Sequence, residues 1–424
     1  MPDSVPGSGG SGEYVVPEAT LQGILEQLPT EPRVVVSGNF ATPWHLVAEI
    51  DRRLPRYRLW ALNGQLGLPD RDGVVLETSF VGPGMRRSPR LRYVPSRLSM
   101  VPALFARNMA PDLVVLHTSL PHDGQVSLGT EVNVLPAAIE AVRRTGGSVI
   151  AQANPRMPFT FGDGVIDLAD IDLVVDVDEP LGTHEPIPPD DASVAIGLSV
   201  GALVPDGATL QAGIGAVPEA ALQGLTDRRS LRAWTEMFSD SMLALERAGA
   251  LDADVPITTS FVFGSAELYE WLHRNERVRM TRTEVTNDPS RISTNTLMVS
   301  INSSLEVDLF AQANASRVRG QIYSGLGGQA DFVVGAIHSP GGQALIGLRS
   351  WHPRANASTI VPMVTAPVTS FQMSAVITEQ GTAEILGHDQ ERQAANLISK
   401  AAHPDARDAL WEAAKTLGLD QPAR

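Results

Sequence analysis

The sequence predicts an α/β protein made of two tandem, doubly wound open-sheet domains, and three observations carry that expectation. The chain has 424 residues, 43% hydrophobic and 19% charged, which is ordinary globular sequence in sufficient length for two or three cores. Short apolar runs alternate with longer amphipathic stretches, the rhythm of strand and helix in a parallel sheet. The rhythm stops at a Pro-rich polar segment, 181–191, and then restarts, as it does across a domain linker.

Residues 1 to about 13 are rich in Gly, Ser and Pro and carry nothing to bury, so they read as disordered. The N-terminal domain is expected over 14–190. In it RVVVSG (33–38) precedes a helical ATPWHLVAEIDRRL, and DLVVLHTSL (112–120) precedes EVNVLPAAIEAVRRTGG. SVIAQAN (148–154) and IDLVVDVDEP (171–180) supply further strands. The C-terminal domain is expected over 191–424, opening with a helix over 192–204, a strand ATLQAG (208–213) and a helix from about 217. A strand through LRAWTEM (231–237) follows, then strands at 297–302, 330–336, 343–348 and 359–364. Two helices, in ERQAANLISKAA and DARDALWEAAKTLG, close the chain.

Charge and composition exclude several classes of function. Lys+Arg 33 against Asp+Glu 48 leaves a net charge of −15, which repels a phosphate backbone and argues against nucleic acid as a partner. With no cysteine there is no disulfide, thiolate metal site or cysteine nucleophile. The nine histidines lack HExxH-type spacing, so no metal site is expected. No window reaches the roughly 18 apolar residues of a membrane span, and the first residues lack the basic and apolar blocks of a signal peptide. A cytoplasmic protein independent of membranes is the expectation.

Five segments carry residue types that do chemistry. Gly197-Leu-Ser199-Val-Gly201 has the G-x-S-x-G spacing of a nucleophile elbow, which needs a strand immediately before the serine. Asp190, Asp191 and Ser193 read instead as helix caps, so Ser199 falls inside a helix. In DGATLQAGIGAVPEAALQGL (206–225) a strand runs into Gly213-Ile214-Gly215, and a helix opens at Pro218 and Glu219. Such a segment is either a tight turn alone or a cradle whose backbone N–H groups meet an anion. In WTEMFSDS (234–241) Glu236 stands at a strand end, where α/β active sites collect. Burial would make it a tuned nucleophile or base, whereas exposure would leave an ordinary surface acid. YSGLGGQADFVVGA (323–336) places Gly325, Gly327 and Gly328 before Gln329, as either a hairpin or a close approach to a ligand requires. Glu306 and Asp308 in SINSSLEVDLFAQ (300–312) alternate with Leu305, Val307 and Leu309, which puts the acids on the solvated or loop-anchoring face.

Together DGATLQAGIGAVPEA, TEMFSD, INSSLEVDL, SGLGGQADFVVGA and VITEQGTAEILG resemble the acetyl-CoA hydrolase/transferase family, with its 4-hydroxybutyrate and butyryl-CoA:acetate CoA-transferase subgroup nearest in length. HDGQVSLG (122–129) and NPRMPFTFGD (154–163) extend the likeness to most of residues 90–410. The resemblance implies the CoA-transferase type of tandem α/β fold with a site at the domain junction. It implies Glu236, not Glu306, as nucleophile, and backbone oxyanion donors at Ile214 and Gly215. Gly213, Gly325, Gly327, Gly328 and Gln329 would line the substrate site, with Arg349 a candidate for the phosphates of CoA. No bound cofactor or metal is implied: coenzyme A enters as a thioester substrate, a small carboxylate is the other substrate, and the assembly is a homodimer. The implied reaction is ping-pong transfer through a glutamyl-CoA thioester, with acyl-CoA hydrolysis and non-catalytic acyl-CoA binding as the alternatives. The motif flanks depart from the family pattern. Trp234 replaces a histidine, Ser241 a glycine and Gln380 a tyrosine; RSWH (349–352) replaces PSTA; and no arginine occurs between 368 and 381.

Overall fold

A computed structural model describes residues 18–186 and 188–420, so the tail expected to be disordered, 1–13, lies outside the described residues. The first half builds a wholly parallel sheet from β1 (Arg33–Val36), β2 (Tyr57–Trp60), β3 (Val74–Thr78), β4 (Leu91–Tyr93), β5 (Leu113–Thr118), β6 (Ser148–Ala153) and β7 (Leu173–Asp176). Their order is β7-β6-β5-β1-β2-β3-β4. The central strands are nearly continuous in Val and Leu because the sheet is covered on both faces. The amphipathic helices Trp44–Arg53 and Leu135–Thr145 turn their buried residues toward it.

The second half repeats the plan with β8 (Thr209–Ala212), β9 (Arg232–Ala233), β10 (Met298–Ser303), β11 (Gln343–Gly347), β12 (Ala375–Thr378) and β13 (Gly381–Glu384). The order is β9-β8-β10-β11-β12-β13, parallel except for the terminal β12–β13 hairpin. In both sheets the chain first builds outward on one side of a strand and then returns to its other side, at β1/β5 and at β8/β10. Such reversals leave a crevice beyond the carboxyl ends of the two strands.

Most elements fall where their patterns put them, and four differ. The stretch 330–336 is not a strand but lies in a helix, Gln329–His338, whose Ala330, Phe332, Val333 and Ala336 are all buried. A short apolar run buried on several sides carries no period, so its type is undecided by pattern. The expected strand through LRAWTEM is broken. Arg232–Ala233 stays in the main sheet, while Met237–Phe238 leaves to pair with Phe261–Val262. Over 359–364 only Ile360–Val361 is a strand, and the helix Gln390–Asn396 continues as a π-helical turn, Leu397–Ala401. Among the described residues no helix is long and apolar enough to cross a membrane.

Backbone bonds stitch the halves together. Val81 N–H donates to Ser324 O at 2.7 Å and Leu98 N–H to Gly327 O at 2.9 Å, and Phe161–Gly162 adds a strand beside Arg279–Met280. Gly325 is packed so closely on this seam that a Cβ would collide with the carbonyl oxygen of Ser79. Gly325→Ala is therefore expected to lower stability by about 1–3 kcal/mol, measured as an earlier midpoint in denaturant unfolding; an unchanged midpoint would show that the seam yields without strain.

Candidate active site

The cleft between the halves encloses about 730 Å³, and Gly213, Ile214, Gly215, Glu236, Gly325, Gly327, Gly328, Gln329 and Arg349 all line it. It opens at the carboxyl ends of β8 and β10, where the strand order reverses. Residues spread over 137 positions of sequence thus share one wall system, because the glycine turns after β8 and before the 329–338 helix point at the same space.

Glu236 occupies the break between β9 and the Met237–Phe238 strand. Its backbone is fixed by N–H groups of Ser260 and Phe261, both donating to its carbonyl at 3.0 Å. Its side chain accepts a hydrogen bond from Asn287 Nδ2 at 2.5 Å. Asn287 follows the short helix Thr283–Thr286, and Trp234 Nε1 donates to Thr286 O at 3.0 Å. The tryptophan that departs from the family pattern thus ties the segment bearing Glu236 to the turn bearing its partner.

Gly328 touches the same carboxylate. Its φ of −95° suits any residue, yet a Cβ there would overlap Glu236 Oε2 and Asn287 Nδ2. Space for Glu236, rather than backbone conformation, requires glycine at this position. Gly328 caps the 329–338 helix, so the carboxylate lies at a helix N-terminus, where negative charge is favoured. Burial pushes Glu236 up to about 7, the Asn287 bond opposes this, and the Asp331 and Glu131 carboxylates add to it. Asp331 is itself pushed up to about 6 by burial, against its bonds to Ser99 and the nearby Arg97.

The Gly-Ile-Gly turn leads into the helix Ala216–Gln223. Gly215, with φ +125° and ψ 170°, occupies a region essentially reserved for glycine. Among the described residues neither Ile214 N–H nor Gly215 N–H donates to a protein acceptor, which leaves both for an anion in the cleft. At Gly213 a Cβ would stand 2.9 Å from Asn302 Oδ1. Gln329 Nε2 reaches Ser303 O at 3.4 Å. Arg349 lines the cleft with its charge already partnered, in an ion pair with Asp190.

The rival candidates lie elsewhere. Ser199 is inside the helix Asp191–Ala202 and donates to Ala195 O at 3.1 Å. The G-x-S-x-G spacing arises from packing, since a Cβ on Gly197 would come within 2.7 Å of the Ala220 backbone on the next helix. Glu306 accepts from Asn314 Nδ2 at 2.8 Å, and Asp308 is buried, accepting backbone N–H bonds from Phe310, Gln312 and Val364 that anchor two loops. Gln380 bonds Ser350 and Glu379, and Trp351 packs on His403, both away from the cleft lining.

Sequence reasoning missed a second carboxyl. Glu131 is buried and accepts from Asn39 Nδ2 and Asn133 Nδ2, each at 2.7 Å, while Asn63 Nδ2 donates to Asn39 Oδ1 at 2.7 Å. Burial pushes Glu131 up to about 7 against those two bonds. Asn39, Asn63 and Asn133 join Leu62, Phe80 and Leu98 around a small pocket of about 40 Å³ that Glu236 also borders. The available signal was one acid inside the apolar run VSLGTEVNVLP. Asn287 left none, since TNDPS reads as a turn capped by Asp288. The assembled site offers a carboxyl pushed up by burial, an amide bound to it, and free backbone donors facing one cavity, which suits attack on a carbonyl with stabilisation of the resulting oxyanion.

Known proteins agree with this architecture. Residues 76–182 match the acetyl-CoA hydrolase/transferase N-terminal domain and residues 264–414 its C-terminal domain. The chain is 35% identical over 346 residues to the 4-hydroxybutyrate coenzyme A transferase of Clostridium kluyveri, covering 78% of this chain and 80% of that protein. It is 33% identical over 407 residues to a succinyl-CoA:acetate/propanoyl-CoA:succinate CoA transferase of Fasciola hepatica, covering 90% and 84%. The crystal structure of RipA from Yersinia pestis superposes with a TM-score of 0.87 at 26% identity, over 94% of this chain and 97% of that one. The chain belongs to the acetyl-CoA hydrolase/transferase family and is an enzyme acting on acyl-CoA.

Proposed function

We propose that the protein is a CoA-transferase that moves CoA between an acyl-CoA and a small carboxylic acid, with Glu236 as the covalent nucleophile. The observation that carries this reading is the Glu236 carboxylate, half-buried in the cleft wall, held by Asn287 at 2.5 Å and given its space by the missing side chain of Gly328. Ionised Glu236 attacks the thioester carbonyl, and the N–H groups of Ile214 and Gly215 receive the charge that develops on its oxygen. The CoA thiolate leaves, forming an acyl-glutamyl anhydride. The thiolate then attacks the glutamyl carbonyl of that anhydride, which releases the donor carboxylate and leaves glutamyl-CoA thioester. The acceptor carboxylate reverses these steps. Domains of 14–190 and 191–424 would close the cleft between them, and excluding water protects both intermediates. Hydrolysis of acyl-CoA at the same site is the competing reading, separated by whether turnover needs an added carboxylate.

Three outcomes are expected. Incubation with acyl-CoA followed by borohydride converts the glutamyl thioester to an alcohol, so peptide mass mapping should find a small mass loss at Glu236 that is missing in Glu236→Gln; a loss at any other residue defeats the assignment. Gly328→Ala should fold normally yet lose a hundredfold or more in kcat, on the order of the loss of a key oxyanion donor, because the methyl displaces the nucleophile; near-normal kcat would refute that role. Since Glu236 titrates near 7 and reacts as the carboxylate, kcat/KM should rise with pH through about 7. A profile falling over that interval would mean the protonated acid is the active form.

A further inference from the structure

Coenzyme A carries its negative charge at the nucleotide end, and a chain with net charge −15 repels such an anion unless local cations or backbone N–H groups receive it. Of the described residues lining the cleft, three have side chains able to carry positive charge: Arg86, His184 and Arg349. Arg349 is paired with Asp190. His184 packs on Phe263, with ring centroids 5.3 Å apart, and lies within electrostatic reach of Glu219. Arg86 has no carboxylate partner among the described residues.

The setting of Arg86 is a built one. Its guanidinium lies over the Tyr323 ring, 4.0 Å from the centroid, and Nε donates to Tyr323 O at 2.8 Å. Tyr323 is fixed in turn by its N–H bond to Ser316 O at 2.7 Å. The next residue, Ser324, accepts the Val81 N–H that joins the halves. Arg86 comes from the loop after β3, and Tyr323 leads directly into the glycine loop that contacts Glu236. Stacking and one hydrogen bond orient the guanidinium and leave its two terminal amino groups for a ligand.

We propose that Arg86, held flat by Tyr323, binds a phosphate of the nucleotide portion of CoA and so anchors the substrate while Glu236 acts on its thioester end. The inference rests on acyl-CoA being the substrate, as set out above. Arg86 is a binding residue and makes no contact with the reacting atoms.

The test compares wild type, Arg86→Ala and Arg86→Gln on one acyl group presented as acyl-CoA and as acyl-pantetheine, which lacks the nucleotide. Gln keeps an N–H donor for Tyr323 O and removes only the charge, so it guards against collapse of the loop. Both variants should lose about tenfold to a hundredfold in kcat/KM on acyl-CoA, the range for a charge-assisted hydrogen bond, with kcat/KM on acyl-pantetheine as in wild type. Equal losses on both thioesters, or none on acyl-CoA, would overturn the anchor. Should wild type turn over neither thioester, the transferase reading fails on its own. The anchor is then decided by equilibrium binding of free CoA, which Arg86→Gln must weaken by a similar factor if the proposal holds and leave unchanged if it does not.

Discussion

The contact between the Glu236 carboxylate, Asn287 Nδ2 and the bare backbone of Gly328 is the constraint on which the rest of the site depends. A carboxylate drawn out of water needs hydrogen-bond partners, and half-buried Glu236 receives one side-chain partner from 51 residues away. Delivering it requires the short 283–286 helix to be held, which the Trp234 indole does, and requires the chain to leave the main sheet before Glu236 and re-enter pairing at Met237–Phe238. Among the described residues Asn287 Oδ1 has no hydrogen-bond partner, so the side-chain bonding of this amide goes to the carboxylate.

The N-terminal half contributes more than a wall. Its residues Val81 and Leu98 bind the backbone just before the glycine loop and within it, at Ser324 and Gly327, and Arg97 lies 3.7 Å from Asp331 in the helix that the loop caps. Asp331 raises Glu236 electrostatically, so Arg97 acts on Glu236 at one remove by opposing the negative charge of Asp331. The junction thus sets both the position of the glycine loop and part of the field at the carboxyl. Neither half presents a complete site without the other.

What was legible in the sequence follows from the range of the interactions involved. Strands such as RVVV and LVVLHT announce themselves because each is apolar on both faces over four to six residues. The glycine turns were legible as turns, and Gly215 does take the conformation only glycine favours. That Gly328 serves Glu236 was not, since its backbone is ordinary and the reason is another residue's side chain. Reading 330–336 as a strand also hid a helix N-terminus at the carboxyl. Glu131 was hidden for a similar reason, because its burial is made by Asn39, 92 positions earlier, and by the strand residue Phe261 that pairs with it.

The choice of amides over cations explains the electrostatic state of the site. Two glutamates with a cationic partner, Glu140 with Arg282 and Glu384 with Lys400, have their carboxyls held below the usual range. Among the described residues Glu131 and Glu236 instead receive side-chain bonds from asparagine N–H groups alone, and burial outweighs these to push both carboxyls up to about 7. An amide can orient a carboxylate without pinning it in the ionised form, whereas an arginine or lysine would orient it and lower its basicity together. A carboxylate of higher pKa is the stronger nucleophile, provided enough of it is ionised at the working pH. Holding Glu236 with Asn287 therefore combines fixed geometry with a carboxyl of raised basicity.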